Sequence, residues 1–360
     1  MKRYLVLENG DVFEGEAFGS SGEVIAEIVF TTTMTGYLET LTDKSYKGQA
    51  VVQTFPLIGN YGIIPEDREG EAPSVSAYIV REACGEPSNF RSSGTLDDYL
   101  RENNIPGLKG IDTRALTRIL RERGVMNGLI TDTLPSDMDK ALADIAAYKI
   151  KDPVAEVSVT SPQVFDPGNS IYTVAMIDCG IKNNIIRCLN ARGCKVVLLP
   201  YDSSADTIRG LSPDGIFISN GPGDPEDNKV TIKTLQELAG DKIPTMGICL
   251  GHQLLALANG FKTSKLKYGH RGTNHPVKNM ITGRIYISSQ NHGYAVLEDS
   301  IDRNIADVLY TNVNDGTNEG IIYRNRPQFS VQFHPEACGG PKDTEFLFDD
   351  FIKMMDEGRD

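Results

Sequence analysis

The chain has 360 residues, 40% of them hydrophobic and 24% charged, with a formal net charge of −13. That length supplies about two domains, each able to bury a core without disulfide staples, and an acidic balance without clustered Lys and Arg argues against a nucleic-acid partner. No apolar run reaches the length of a membrane span or of a signal-peptide core, and the six cysteines form no C-x-x-C pair, so reduced thiols in a cytoplasmic protein are expected.

Residues 1–150 read as a strand-rich α+β domain. Two short apolar runs, 4–7 and 12–15, flank Glu8-Asn9-Gly10-Asp11, the pattern of a hairpin with an Asn-Gly turn. Residues 24–30 and 50–54 are further strands, and residues 113–123 form a helix capped by Asp112 or Thr113, with Gly124 just past its end. Between 151 and 171 the apolar periodicity fades into Lys151-Asp152-Pro153, Ser161-Pro162 and Pro167-Gly168-Asn169-Ser170, the composition of a linker.

From residue 172 to the end the pattern changes to alternating strands and helices. Strands at 173–177, 195–199 and 215–219 alternate with helices at 183–191 and 231–238, and a last strand runs into Cys249. Such alternation predicts a doubly wound, mostly parallel sheet with helices on both faces, and ligands bound at the carboxyl ends of the strands.

At one such end stands Gly247-Ile248-Cys249-Leu250-Gly251-His252-Gln253. A nucleophile on a tight strand-to-helix turn needs small neighbours on both sides, and the dipole of the following helix favours its thiolate. A lone cysteine is more often apolar filler; here the two glycines and a distant His334-Pro335-Glu336 favour the nucleophile, and the other five cysteines keep the plainer reading. His252 falls on the helix side of the elbow, where packing is expected. His270, His275 and Cys338 raise the question of a metal, but no spacing matches a zinc site, and no metal is expected. Gly221-Pro222-Gly223 lacks the Walker lysine and any G-x-G-x-x-G pattern, so no nucleotide site is expected on this chain.

The segments Ser219-Asn220-Gly221-Pro222-Gly223-Asp224-Pro225, Gly247 to Gln253 and Gln332-Phe333-His334-Pro335-Glu336, in that order, resemble class I glutamine amidotransferases. In the first half, Thr35-Gly36-Tyr37, Asp43-Lys44-Ser45-Tyr46, Gly59-Asn60-Tyr61-Gly62 and Gly110-Ile111-Asp112-Thr113-Arg114-Ala115-Leu116-Thr117-Arg118 narrow the resemblance to the small subunits of carbamoyl phosphate synthetases, over essentially the whole chain. The resemblance implies a small-subunit-specific domain at 1–150 and a glutaminase domain at 172–360. It implies a catalytic triad of Cys249, His334 and Glu336, with backbone N–H groups at Leu250 and the Gly221 loop for the oxyanion. It also implies glutamine contacts from Ser45, Gly221, Gly223, Leu250, Gln253, Asn291, Gly293 and Tyr294. From the residues alone Ser45 is equally a turn serine, and Tyr294 stands where the family commonly has phenylalanine.

The implied partner is a large subunit that holds ATP and Mg and makes carbamoyl phosphate from bicarbonate, serving pyrimidine and arginine synthesis; this chain itself would carry no cofactor. The Asn60 and Arg114 segments are candidates for docking and ammonia passage, with a purely structural role equally open. A glutaminase for another synthase, a non-catalytic docking module and a cysteine peptidase are the competing readings. The first-half motifs oppose the first, the intact triad residues the second, and the lack of any sign of a cleft for extended chains the third.

Overall fold

The computed structural model describes residues 1–337 and 339–358, which fall into two compact units, Met1–Lys151 and Asp152–Asp360. Among the described residues no helix is long and apolar enough to cross a membrane.

The first unit contains β1 (Lys2–Leu7), β2 (Val12–Gly19), β3 (Val24–Thr31), α1 (Tyr37–Thr42), β4 (Gln49–Gln53), β5 (Leu57–Ile58), β6 (Ala77–Ile79), β7 (Glu82–Ala83), α2 (Leu96–Glu102), β8 (Pro106–Lys109), α3 (Thr113–Arg123), β9 (Met126–Thr131) and α4 (Met138–Ala147). The expected hairpin joins β1 to β2, with Gly10 at φ 88° in its turn. The strand order β1-β2-β8-β6-β4-β3-β9 closes on itself through β1–β9 pairing, so the sheet is a barrel without free edges. Arg3 ties it together from within: its side chain is 1% exposed, Nε donates to Asp132 at 2.6 Å, and Nη1 donates to the carbonyls of Phe18 and Gly107 on β2 and β8. α3 has the expected bounds, and the Asp112 side chain accepts from the Ala115 N–H at its start.

The second unit contains α5 (Pro153–Val157), β10 (Gln163–Phe165), β11 (Tyr172–Asp178), α6 (Asn183–Asn190), β12 (Cys194–Pro200), α7 (Ala205–Gly210), β13 (Gly215–Ile218), α8 (Lys229–Leu238), β14 (Thr245–Ile248), α9 (Leu250–Ala258), β15 (Thr263–Asn279), β16 (Ile285–Val296), β17 (Ala306–Asn312), β18 (Asn318–Tyr323), β19 (Gln328–Val331) and α10 (Leu347–Glu357). The segment 151–171, expected as a plain linker, instead contributes α5 and β10, and β10 pairs antiparallel with β12 at the edge of the sheet. Three residues suffice for that, since a hydrogen-bonded edge does not need a long apolar run.

One ten-stranded sheet runs β10-β12-β11-β13-β14-β19-β18-β17-β15-β16. Its middle, β12 to β19, is parallel, and β18, β17, β15 and β16 extend it as an antiparallel wing. Successive side chains of a strand point to opposite faces, and both faces here are covered. Val174, Met176, Val196 and Leu198 pack with Ile185 and Leu189 of α6 and Phe348 and Phe351 of α10. Ala175, Ile177, Val197 and Leu199 pack with Ile208 of α7, Leu235 of α8 and Leu254 of α9. Burial on two faces explains the nearly unbroken apolar runs of β11 to β14. The loops leaving β11, β13, β14 and β19 therefore emerge side by side at one edge.

Candidate active site

Cys249 occupies the turn between β14 and α9 with φ 54° and ψ −104°, a strained backbone that a non-glycine residue adopts only where surroundings impose it. The surroundings are tight. A Cβ on Gly251 would lie 2.2 Å from the Ile218 carbonyl oxygen, and one on Gly247 would lie 2.7 Å from the Gly251 oxygen. The turn is held by N–H bonds from Cys249 to the Val331 carbonyl of β19 and from Gly251 to that of Ser219. The sulfur is buried, 3.6 Å from the Asn291 carbonyl of β16, which accepts from the thiol form.

The segment after β19 brings in His334 and Glu336. His334 is fully buried, and its Nδ1 faces Glu336 Oε1 at 2.6 Å. That contact assigns the proton to Nδ1 and leaves Nε2, which makes no hydrogen bond of normal geometry, as the nitrogen open to a reacting group. Burial, and then the Lys182 ammonium, favour loss of a proton from His334; Glu336 and the Cys249 sulfur outweigh them and lift it to about 9. Burial works against ionised Glu336 as well, but His334 and Lys182 hold the carboxyl down to about 2.

Lys182 is the site residue that sequence reasoning missed. Its Nζ lies 3.2 Å from His334 Nδ1 and 3.5 Å from Glu336 Oε1. The loop after β11 delivers it. Asp178 shapes that loop by accepting from the N–H groups of Gly180 and Ile181, and Asn220 clamps it by accepting from the Lys182 N–H and donating to the Gly180 carbonyl. The available signal was positional: a lysine four residues past the end of a parallel strand, at the edge where such sheets bind ligands.

The Gly221 loop adjoins the elbow. A Cβ on Gly221 would meet the Cys179 oxygen at 2.1 Å and Leu250 Cδ2 at 2.8 Å, and Gly223 has φ 89° with its α-carbon against Pro153. Leu250 begins α9, so its N–H is among those that a helix leaves free. On the opposite side Gln253 Nε2 donates to the carbonyl of Tyr294 and to Gln332 Oε1, fastening α9 to β16, which also carries Asn291 and Gly293. Cys249, His334, Glu336, Gly221, Leu250, Gln253, Asn291 and Tyr294 are thus joined by direct or single-neighbour contacts within the second unit. Ser45 lies in the first unit, in the short turn Lys44–Tyr46, where Asp43 Oδ1 accepts from its N–H at 2.9 Å.

The remaining histidines and thiols separate from this chemistry. His252, expected to pack, is fully buried against Ser330 Oγ, and burial holds it down to about 3. Burial raises the thiols of Cys188 and Cys194 to about 12 and that of Cys179 further. Cys338 lies outside the described residues.

The family of class I glutamine amidotransferases matches residues 175–354, and that of the carbamoyl-phosphate synthase small chain, CPSase domain, matches residues 5–130. The carbamoyl phosphate synthase small chain of Bacillus cereus is 50% identical over 356 residues, covering 99% of this chain and 96% of the relative. That of Clostridium perfringens is 51% identical over 354 residues, covering 98% and 99%. A glutamine amidotransferase of known structure from Thermotoga maritima aligns with a TM-score of 0.38 and 17% identity, over 52% of this chain and 85% of its own. With both halves matched and half of all residues shared over nearly the full length, the chain belongs to the family of carbamoyl phosphate synthase small chains.

Proposed function

We propose that this chain is the glutaminase subunit of a glutamine-hydrolysing carbamoyl phosphate synthetase. The observation that carries the reading is the strained Cys249 elbow facing a buried His334 whose other nitrogen is fixed at 2.6 Å by Glu336. This is the arrangement of a nucleophile, a general acid–base and an orienting carboxylate.

In the reaction the Cys249 thiolate attacks the side-chain carboxamide carbon of glutamine. Negative charge moves onto the carboxamide oxygen, where the N–H groups of Leu250 and the Gly221 loop receive it. His334 Nε2 gives its proton to the departing nitrogen, ammonia leaves, and a glutamyl thioester remains. Water then attacks the thioester, His334 Nε2 takes up its proton, and the thiolate departs to release glutamate. Glu336 keeps the imidazole aligned, and Lys182 neutralises part of the carboxylate charge. Gly221, Gly223, Leu250, Gln253, Asn291, Gly293 and Tyr294 are assigned to glutamine.

Ammonia is passed to a large subunit that supplies ATP, Mg and the bicarbonate chemistry in the cytoplasm. The test is direct. The purified chain should release glutamate slowly, a large ATP-binding subunit should accelerate it, and the pair should form carbamoyl phosphate from glutamine, bicarbonate and ATP. Glutamate release that persists in Cys249→Ser removes the mechanism; failure of any large subunit to bind removes the assignment to a synthetase.

A further inference from the structure

Three of the five histidines, His270, His275 and His292, meet two carboxylates in the antiparallel wing. His270, His292 and Glu319 are all buried and can each turn one donor atom to within 4.8 Å of the other two. The rings of His275 and His270 are 5.3 Å apart.

The hydrogen bonds fix which atoms face the centre. His270 Nε2 lies 2.8 Å from Asp315 Oδ2, so that nitrogen holds a proton and Nδ1 is the atom able to offer a lone pair to a metal. That Nδ1 has no hydrogen bond, in a side chain 8% exposed, and faces Glu319 Oε1 at 3.4 Å. His292 Nδ1 lies 2.7 Å from the Tyr294 carbonyl, so its proton belongs on Nδ1 and Nε2 carries the lone pair. That Nε2 meets Gln290 Oε1 at 2.8 Å, while the same amide donates from Nε2 to Glu319 Oε2 at 2.9 Å.

Burial works against a charged His270, but Glu319 and Asp315 outweigh it and raise its pKa, so a second proton on His270 is the competitor that a metal ion would displace. As placed, the Gln290 oxygen confronts the His292 lone pair; turned over, it confronts the Glu319 carboxylate. The Glu319 carboxylate, 0% exposed, accepts from the side-chain amides of Gln290 and Asn312. One cation at the centre would satisfy His270 Nδ1, His292 Nε2 and Glu319 together.

We propose that His270 Nδ1, His292 Nε2 and Glu319 form a binding site for one divalent first-row transition-metal ion of the zinc type, with Asp315 as the outer carboxylate that orients His270. The donor set of two imidazoles and a carboxylate suits such an ion and not magnesium or calcium. Bonds of about 2.0–2.2 Å place tetrahedral ligands about 3.4 Å apart, the spacing that His270 Nδ1 and Glu319 Oε1 already have. Binding requires Gln290 to swing off His292. Half-buried His275 is the neighbouring candidate for a fourth ligand, and half-exposed Asp315 marks the side of entry. The carboxylate–histidine–metal chain is the usual means of fixing a ligand's tautomer. The site adjoins Asn291, Gly293 and Tyr294 on β16, and it departs from the expectation of no metal drawn from ligand spacing.

The test uses the full-length chain with Cys249→Ser, which removes the thiol nearest a competing imidazole, stripped with a chelator and titrated with zinc or cobalt chloride. One equivalent of zinc should remain after gel filtration and raise the melting temperature. Cobalt should give the visible bands of a four- or five-coordinate ion without thiolate charge transfer. His270→Gln and Glu319→Gln should each lose the equivalent. Should either fail to fold, Asp315→Asn at the half-exposed position should weaken affinity about 10- to 100-fold. Absence of a bound equivalent, a thiolate charge-transfer band, or unchanged binding in the variants overturns the proposal and leaves the proton as the occupant.

Discussion

The ammonium of Lys182 sits 3.2 Å from Nδ1 of His334, the nitrogen that Glu336 also holds. A cation beside an imidazole works against the imidazolium, so Lys182 and Glu336 act on His334 in opposite senses. Lys182→Met should lift the His334 titration above its present value of about 9 and loosen the carboxylate. The expected cost is roughly tenfold in kcat for glutamine hydrolysis, or about 1.4 kcal/mol, with the pH profile displaced upward. An unchanged profile would show Lys182 to be a bystander.

Glu336→Gln tests the other side. In the wild type, His334 has a folded value above its ordinary 6.5, so its contribution to stability is complete below that value and fades as pH rises towards about 9. Glu336 has a folded value below its ordinary 4.5, so its contribution is complete above that value and is lost as pH falls towards about 2. Replacing the carboxylate leaves burial and Lys182 opposed only by the Cys249 sulfur, and the His334 titration should fall from about 9. Imidazole proton resonances followed against pH check this; a titration still near 9 contradicts it.

Cys249→Ser should lower glutamine hydrolysis by about a thousandfold or more while leaving the fold intact, because a serine hydroxyl is a far weaker nucleophile without its own matched base. Glutamate release and a thermal melt on the same preparation separate loss of chemistry from loss of structure.

Gly251→Ala should destabilise the second unit. Its Cβ would lie 2.2 Å from the Ile218 oxygen, a backbone atom that moves only with the sheet. Overpacking of this kind costs about 1–3 kcal/mol, a fall in melting temperature of roughly 2–4 °C per kcal/mol at this size. A melting temperature equal to that of the wild type would show that the elbow relaxes freely.

Arg3→Met should destabilise the first unit by about 3 kcal/mol, since it strands Asp132 and frees the carbonyls of Phe18 and Gly107. Denaturant unfolding, with each unit followed by its own probe, should show an early first transition. Coincident wild-type transitions would refute it.

The parts of this molecule legible in the sequence are the local ones. The elbow could be read because strain at Cys249 demands glycines at Gly247 and Gly251, and α3 because Asp112 and Gly124 mark its ends. Lys182 was hidden because 152 residues separate it from His334 and no periodicity links them. Alternation revealed strands in the first unit but not the β1–β9 pairing that closes the barrel. The long β15 and β16 escaped because Gly269, Gly272, Pro276 and Gly293 punctuate them, and β15–β16 pairing absorbs the interruptions as register shifts. Asn291, Gly293 and Tyr294 came from family resemblance alone, since nothing in a strand of that composition marks a substrate contact.

The adjacency of β14 and β19 also sets when the chain becomes reactive. Cys249 follows a strand whose parallel neighbour is Gln328–Val331, and the Val331 carbonyl takes the Cys249 N–H that closes the turn. A chain growing from its amino terminus completes about nine-tenths of this sequence, including β14 and α9, before that neighbour exists. Until β19 docks, Cys249 lacks its backbone anchor, His334 and Glu336. The nascent polypeptide therefore carries an ordinary thiol, and reactivity arrives in one step with the last strand of the sheet.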